Sequence, residues 1–283
     1  MWTIFRQIWK SVIDIFPNIC FDSDHYLYEG ENTLKENAMN WMKACVAVMG
    51  GSMVFGMSRA NAQSQMVLPE ADTFVSAAHS GRNYGASGAI AVSQTSAANG
   101  QISTLLRFNL ASVKTSFDTS FGVGQWMPTS ATITLSHAAV MPGVSALFSP
   151  PDSGTIDVRW LANDGWIEGT GTPNFNTSDG IVWTGMGSLL ASGNQSAGSY
   201  NYTAATSGSG TYSLAIPSGF ASDVTAGTKL TLLFDSTDAN SLMFGIRPMF
   251  PNTDPFMTIT AGPIPEPSAL ALLSFGVLAL RRR

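Results

Sequence analysis

Charge is the scarcest commodity in this 283-residue sequence: only 12% of residues are Asp, Glu, Lys or Arg, about half the ~25% of an ordinary soluble domain. With 14 basic against 19 acidic residues, the chain lacks the basic footprint of a nucleic-acid binder. Cysteine is nearly absent, and Cys20 and Cys45 both lie near the start, so the remainder has no disulfide framework and no thiolate metal site. Histidine is limited to three positions. There is no His-Glu-x-x-His array, no Gly-x-Ser-x-Gly elbow and no Walker loop, so no local signature nominates a catalytic centre. Long hydrophobic runs are missing too, which argues against a polytopic membrane protein. What is abundant is Gly, Ser and Thr, a composition common outside the cytoplasm.

Two short apolar segments stand apart. Lys43 precedes the apolar run Ala44–Met57, and Ala60-Asn61-Ala62 places small residues at the two positions a signal peptidase reads. Residues 39–62 therefore read as a secretory signal peptide, with Met39 or Met42 as start and Gln63 as the first mature residue. A signal needs its charged end near the N-terminus, so residues 1–38 are expected to be a mis-assigned upstream extension. Their spacing of Phe5, Ile8, Trp9, Val12 and Phe16 also suits a membrane-surface helix.

The second segment is the C-terminus. Pro265-Glu266-Pro267-Ser268 leads into the apolar run Ala269–Leu280 and then Arg281-Arg282-Arg283. Twelve residues make about 18 Å of helix, short of the ~20 residues of an ordinary span. The arginines would stay cytoplasmic and act as a stop-transfer signal. This layout resembles the PEP-CTERM sorting signal of Gram-negative bacteria that make extracellular polysaccharide. The resemblance covers residues 265–283. It implies an inner-membrane-anchored precursor, processing by an exosortase (a membrane cysteine transpeptidase), and delivery to the cell surface or matrix.

Between these segments, residues 63–262 form one region with dense turn signals, such as Asp164-Gly165, Asp179-Gly180 and Ser207–Gly210. Short alternating runs separate them: Thr132–Ser136, Thr155–Trp160, Thr211–Ile216 and Lys229–Phe234. Thr73–Ser76, Ala89–Val92, Leu105–Phe108, Leu242–Ile246 and Phe256–Thr260 are further strand candidates. No long helical period follows residue 63. The expected fold is all-β, an antiparallel β-sandwich of about ten strands, most simply a jelly roll, flanked in the precursor by a signal helix and a short C-terminal hydrophobic helix.

Several segments occur in a telling order: Ala71–Val75, Asn83-Tyr84-Gly85, Leu105–Leu110, Ser130–Leu135, Trp166–Gly171, Gly180–Trp183 and Pro255–Ile259. The succession resembles the DNRLRE domain, a jelly-roll module related to carbohydrate-binding modules of secreted proteins. The name-giving motif is not preserved letter for letter, and the Ser/Gly/Thr-rich stretch 188–210 does not align. The resemblance implies the fold and a binding or adhesive role toward extracellular polysaccharide.

The residues admit definite chemical expectations. Arg107, between Leu106 and Phe108, points away from their face and is placed to clamp Asp72 or Glu168. Asn83-Tyr84-Gly85 reads as a turn anchored by its aromatic ring. Trp160, Trp166 and Trp183 are either a sugar-stacking platform or core and loop anchors. Asp164 and Glu168 are the best carboxylate pair for a rival reading, a polysaccharide hydrolase or lyase. A third reading is a structural matrix protein with no ligand. No cofactor is expected, apart from a structural calcium ion for which Glu70, Asp72 and Asp254 offer oxygens.

Overall fold

The computed structural model describes residues 61–95, 100–136, 153–202, 209–238 and 254–264, with the backbone alone for 241–245. The expected signal peptide before residue 61, the upstream extension, the sorting segment 265–283, His137 and Pro150-Pro151 lie outside the described residues.

Among the described residues there are eleven strands: β1 Gln63–Val67, β2 Pro69–Ser76, β3 Ala89–Ser93, β4 Ile102–Asn109, β5 Trp126–Ser136, β6 Gly154–Leu161, β7 Asn194–Tyr202, β8 Ser209–Leu214, β9 Lys229–Ser236, β10 Ser241–Gly245 and β11 Phe256–Pro263. All described pairings are antiparallel. They form a four-stranded sheet, β1-β11-β5-β8, and a seven-stranded sheet, β10-β3-β4-β9-β6-β7, in which β2 also pairs β4.

The expected all-β antiparallel sandwich is therefore present, with additions. Ile133, Leu135, Met257 and Ile259 of the smaller sheet face Leu106, Phe108, Leu230, Leu232 and Ile156 of the larger one, all essentially without exposure. Burying each such side chain contributes roughly 1.5–3 kcal/mol. Tyr200 of β7 and Tyr212 of β8 stack at 3.9 Å and join the two sheets at one margin.

Three short helices, α1 Ala111–Phe121, α2 Met186–Ala191 and α3 Ser218–Ala226, accompany the strands without supplying a long helical period. Helices α1 and α3 each bury only two residues, Val113 with Phe117 and Phe220 with Val224. One i,i+4 pair is too little periodicity to stand out in a Ser/Thr-rich segment. In α1, Thr115, Thr119 and Ser120 turn their hydroxyls back onto carbonyls four residues earlier. Those hydroxyls need no other partner, and the charges of α1, Lys114 and Asp118, pair with each other within the helix.

The outer face of the larger sheet is covered as well. Ala71, Val75, Leu105, Leu161 and Leu233 pack against Trp166, Met186 and Leu189 from the segment 162–191. Strands β4 and β9 are thus buried on both faces. That explains their near-continuous apolar runs ISTLLRF and KLTLLF, of a kind usual in doubly covered strands.

Candidate functional site

The covering segment 162–182 has almost no regular structure, so its main-chain groups need partners from elsewhere. Asn83 supplies them. Fully buried, it donates from Nδ2 to the carbonyls of Glu168 at 2.6 Å and Ile181 at 3.0 Å. Its Oδ1 accepts from the N–H groups of Gly85 at 3.2 Å and Gly171 at 2.8 Å. One amide thus ties three separate points of the chain together. The surrounding glycines follow from it: a Cβ at Gly169, Gly171 or Gly180 would collide with Asn83, and one at Gly85 with the Glu168 carbonyl. Tyr84 stacks on Phe74 at 4.3 Å, so the expected aromatic anchor exists. The dominant tie is its neighbour Asn83, which sequence reading passed over. The glycine spacing at 169, 171 and 180 was the available sign.

Arg107 points away from the Leu106 and Phe108 face, as expected, but its partners differ. It pairs with Glu70 (Nε to Oε1, 2.7 Å), rather than with Asp72 or Glu168. Its Nη1 donates to the Asp164 carbonyl at 3.0 Å and to the Trp166 carbonyl, and its guanidinium lies 4.7 Å from the Trp166 ring centre. The cause is a break in register between Pro69 and Ala71, a bulge that re-aims the neighbouring side chain. Burial alone would raise the Glu70 pKa, but hydrogen bonds from Lys229 and Arg107 outweigh it and hold the carboxyl below its usual value.

Glu168 instead accepts the Asp72 main-chain N–H; burial nevertheless raises its pKa, against that bond and the Arg107 charge. Asp72 itself is pushed up to about 7 by burial, then by the charges of Glu168 and Asp254. Its Oδ1 is buried without a hydrogen bond. Glu70 is thus engaged by cations, and the expected calcium-binding trio of Glu70, Asp72 and Asp254 is not assembled. Among the described residues no group of three or more His, Cys, Asp or Glu is placed to hold a metal ion.

Asp164 accepts from the Thr231 hydroxyl at 2.6 Å, and that hydroxyl in turn accepts from the Trp166 indole N–H at 3.1 Å. Asp164 and Glu168, the candidate acid pair, are therefore engaged by different strands. The tryptophans are divided as well. Trp160 packs with the inner core and donates to Asp223 at 2.6 Å, while α3 approaches its ring at Gly219. Trp166 and Trp183 belong to the cluster on the opposite face of the sheet. The structure does not bring the three rings onto one surface.

A concave surface lies elsewhere. A cleft of about 700 Å³ runs between β5, the 213–216 corner and α3. Thr129, Ser130 and Thr132 of β5, Ser213 of β8, and Ser218, Ser222 and Thr225 of α3 supply hydroxyls, with Met127, Ala131, Ala221 and Ile216 between them. Residues 218, 221, 222 and 225 share one helical face. No charged or aromatic side chain lines the cleft. It opens beside the outer face of the smaller sheet, where Ser64 bonds Thr260 and Thr134 bonds Thr211, both at 2.8 Å. Such a surface can exchange hydrogen bonds with neutral hydroxyl or amide groups, and it has no ionised group with which to neutralise a charged ligand. Only its small, uncharged residues distinguish it in the sequence, which is why it was not foreseen.

Compared with known proteins, the chain matches no family model and no curated sequence.

Proposed function

We propose that residues 63–262 form a non-catalytic adhesion or carbohydrate-binding module of an exported protein. Its precursor is held transiently in the inner membrane of a Gram-negative bacterium and released by an exosortase to the cell surface or the exopolysaccharide matrix. The observation that carries this reading is the tail: Pro265-Glu266-Pro267-Ser268, an apolar run and three arginines, in that order. The uncharged, hydroxyl-lined cleft supports a neutral polysaccharide as ligand. The framework contacts of Asp164 and Glu168 support a binding rather than a hydrolytic role.

Fractionation of the producing cells tests the sorting. Replacing Pro265, Glu266 and Pro267 together by Ala should leave a full-length species in the inner membrane. An unchanged surface fraction sinks the exosortase reading. For the ligand, Ser213→Arg with Ser222→Arg should abolish retention on the organism's own neutral polysaccharide. Retention equal to the wild type would leave the structural matrix protein as the better description, and reducing-sugar release lost on Asp164→Asn would favour the hydrolase.

A further inference from the structure

The point at which the chain leaves the sandwich has an unusual surface. Strand β11 ends at Pro263 opposite Trp126, and the next N–H, that of Ile264, donates to the Gln125 carbonyl at 2.9 Å. Beside it, Gly122 to Gln125 form a tight turn closed by the Gln125 N–H on the Gly122 carbonyl at 3.1 Å. Gly124 holds it open at φ 70°, a value that a side-chain-bearing residue rarely adopts. The residue this turn presents is Val123, 76% exposed. Turn tips are ordinarily Asn, Asp, Ser or Gly, so a β-branched apolar tip needs an explanation. Ile264 at 43% and Met127 at 48% exposure share this end.

Charge is missing here to a degree unusual even for this chain. Between Asp118 and Asp152 the sequence contains no Asp, Glu, Lys or Arg, and between Asp254 and Glu266 again none. Only four residues, Pro265–Ser268, separate Ile264 from the apolar run Ala269–Leu280. Five Cα-to-Cα steps reach at most about 18 Å. If that run enters a bilayer, this end of the sandwich is confined to the membrane surface. A run of about 18 Å as a helix is shorter than the ~30 Å hydrocarbon core. A short span is accommodated by thinning the bilayer or drawing its flanks inward.

We propose that Val123, Met127 and Ile264 form a lipid-contacting end of the domain, which seats the anchored precursor directly on the bilayer. The partner is the interfacial region of a phospholipid surface. Apolar side chains enter it by losing contact with water, and none of these three side chains carries a charge that would have to be desolvated. This inference rests on the anchor reading of the tail. It adds a defined orientation: the end carrying Val123 faces the lipid, and the segment 162–182 does not.

The test uses the full chain with Cys20 and Cys45 replaced by Ser, carrying one environment-sensitive fluorophore at a time at Val123→Cys, Ser274→Cys or Phe175→Cys. Phe175, 75% exposed in the covering segment, is the control. The protein is reconstituted from detergent into phosphatidylcholine vesicles containing a lipid-phase quencher. The expected result is loss of most emission at 274 and 123, with little loss at 175. Quenching at 274 without quenching at 123 overturns the lipid-contacting end and leaves the anchor standing. No quenching at either overturns both. Equal quenching at 123 and 175 overturns the orientation. In the reporter at Val123→Cys, adding Met127→Glu and Ile264→Glu should restore most of the lost emission while quenching at 274 persists; no restoration counts against the proposal.

Discussion

The two sheets solve the problem of the outer face in opposite ways. The smaller sheet contains no charged residue in any of its four strands. Its outer face carries mainly hydroxyls, some bonded to one another, with Met66 exposed among them. The larger sheet carries Glu70, Asp72, Arg107, Asp157, Arg159, Lys229 and Asp235. Part of its outer face is roofed by segment 162–191, and part bears the Arg159–Asp235 pair at 2.6 Å, with Ser103 donating to the same carboxylate. The lesson is that charge in this protein is a tool of internal attachment: most of it fixes the roof or braces a strand. The open sheet is solvated without it.

The comparison is broken most severely at Asn83. Asn83→Ala removes the partners of two carbonyls and two N–H groups inside the roof. At roughly 1–3 kcal/mol for each group left unsatisfied, the expected loss is on the order of 5 kcal/mol. Urea denaturation should show it, together with early proteolysis within 162–182. A loss below about 1 kcal/mol would mean that the roof is held by its apolar contacts alone.

Asp72 sharpens the comparison through pH. Its folded-state pKa of about 7 lies above the ordinary 3.8, so the folded protein binds the proton more tightly than the unfolded chain. The associated stability is present below about pH 4, declines as pH rises, and is gone above about pH 7. At 1.36 kcal/mol per pH unit the decline amounts to at most about 4 kcal/mol, reduced by whatever water reaches the carboxyl. Asp72→Asn should raise the melting temperature at pH 8 and flatten its decline between pH 5 and pH 7. A variant no more stable than wild type at pH 8 would show that the buried carboxyl is solvated.

The smallest effect is expected on the open sheet. Thr132→Val or Thr258→Val exchanges a hydroxyl for a methyl group in a strand-compatible shape, and stability should move by no more than about 0.5 kcal/mol. Retention on a neutral polysaccharide, measured on the same Thr132 variant, separates the face as a solvated surface from the face as a contact.

How much of this was legible in the sequence follows the same division. Thr132–Ser136 and Phe256–Thr260 alternate because one side of each strand meets the core and the other meets water. Strand β7 was invisible: its fully buried residues are only Ala197 and Tyr202 in a polar run. The roof was the hardest part to read. Asn83 bonds main-chain atoms, which are the same at every residue, so its partners leave no side-chain signature. Arg107 was assigned the correct direction and the wrong carboxylate, because a bulge moves the register and sequence spacing cannot reveal one. Its neighbour Trp166 was recognised, but the relay through Thr231 joins positions 65 apart in sequence.

One consequence concerns ionic strength. A face with no fixed charge gathers no cloud of small ions, so nothing is released or screened when another surface meets it. Any contact made through the smaller sheet should therefore hold equally well in dilute and concentrated salt.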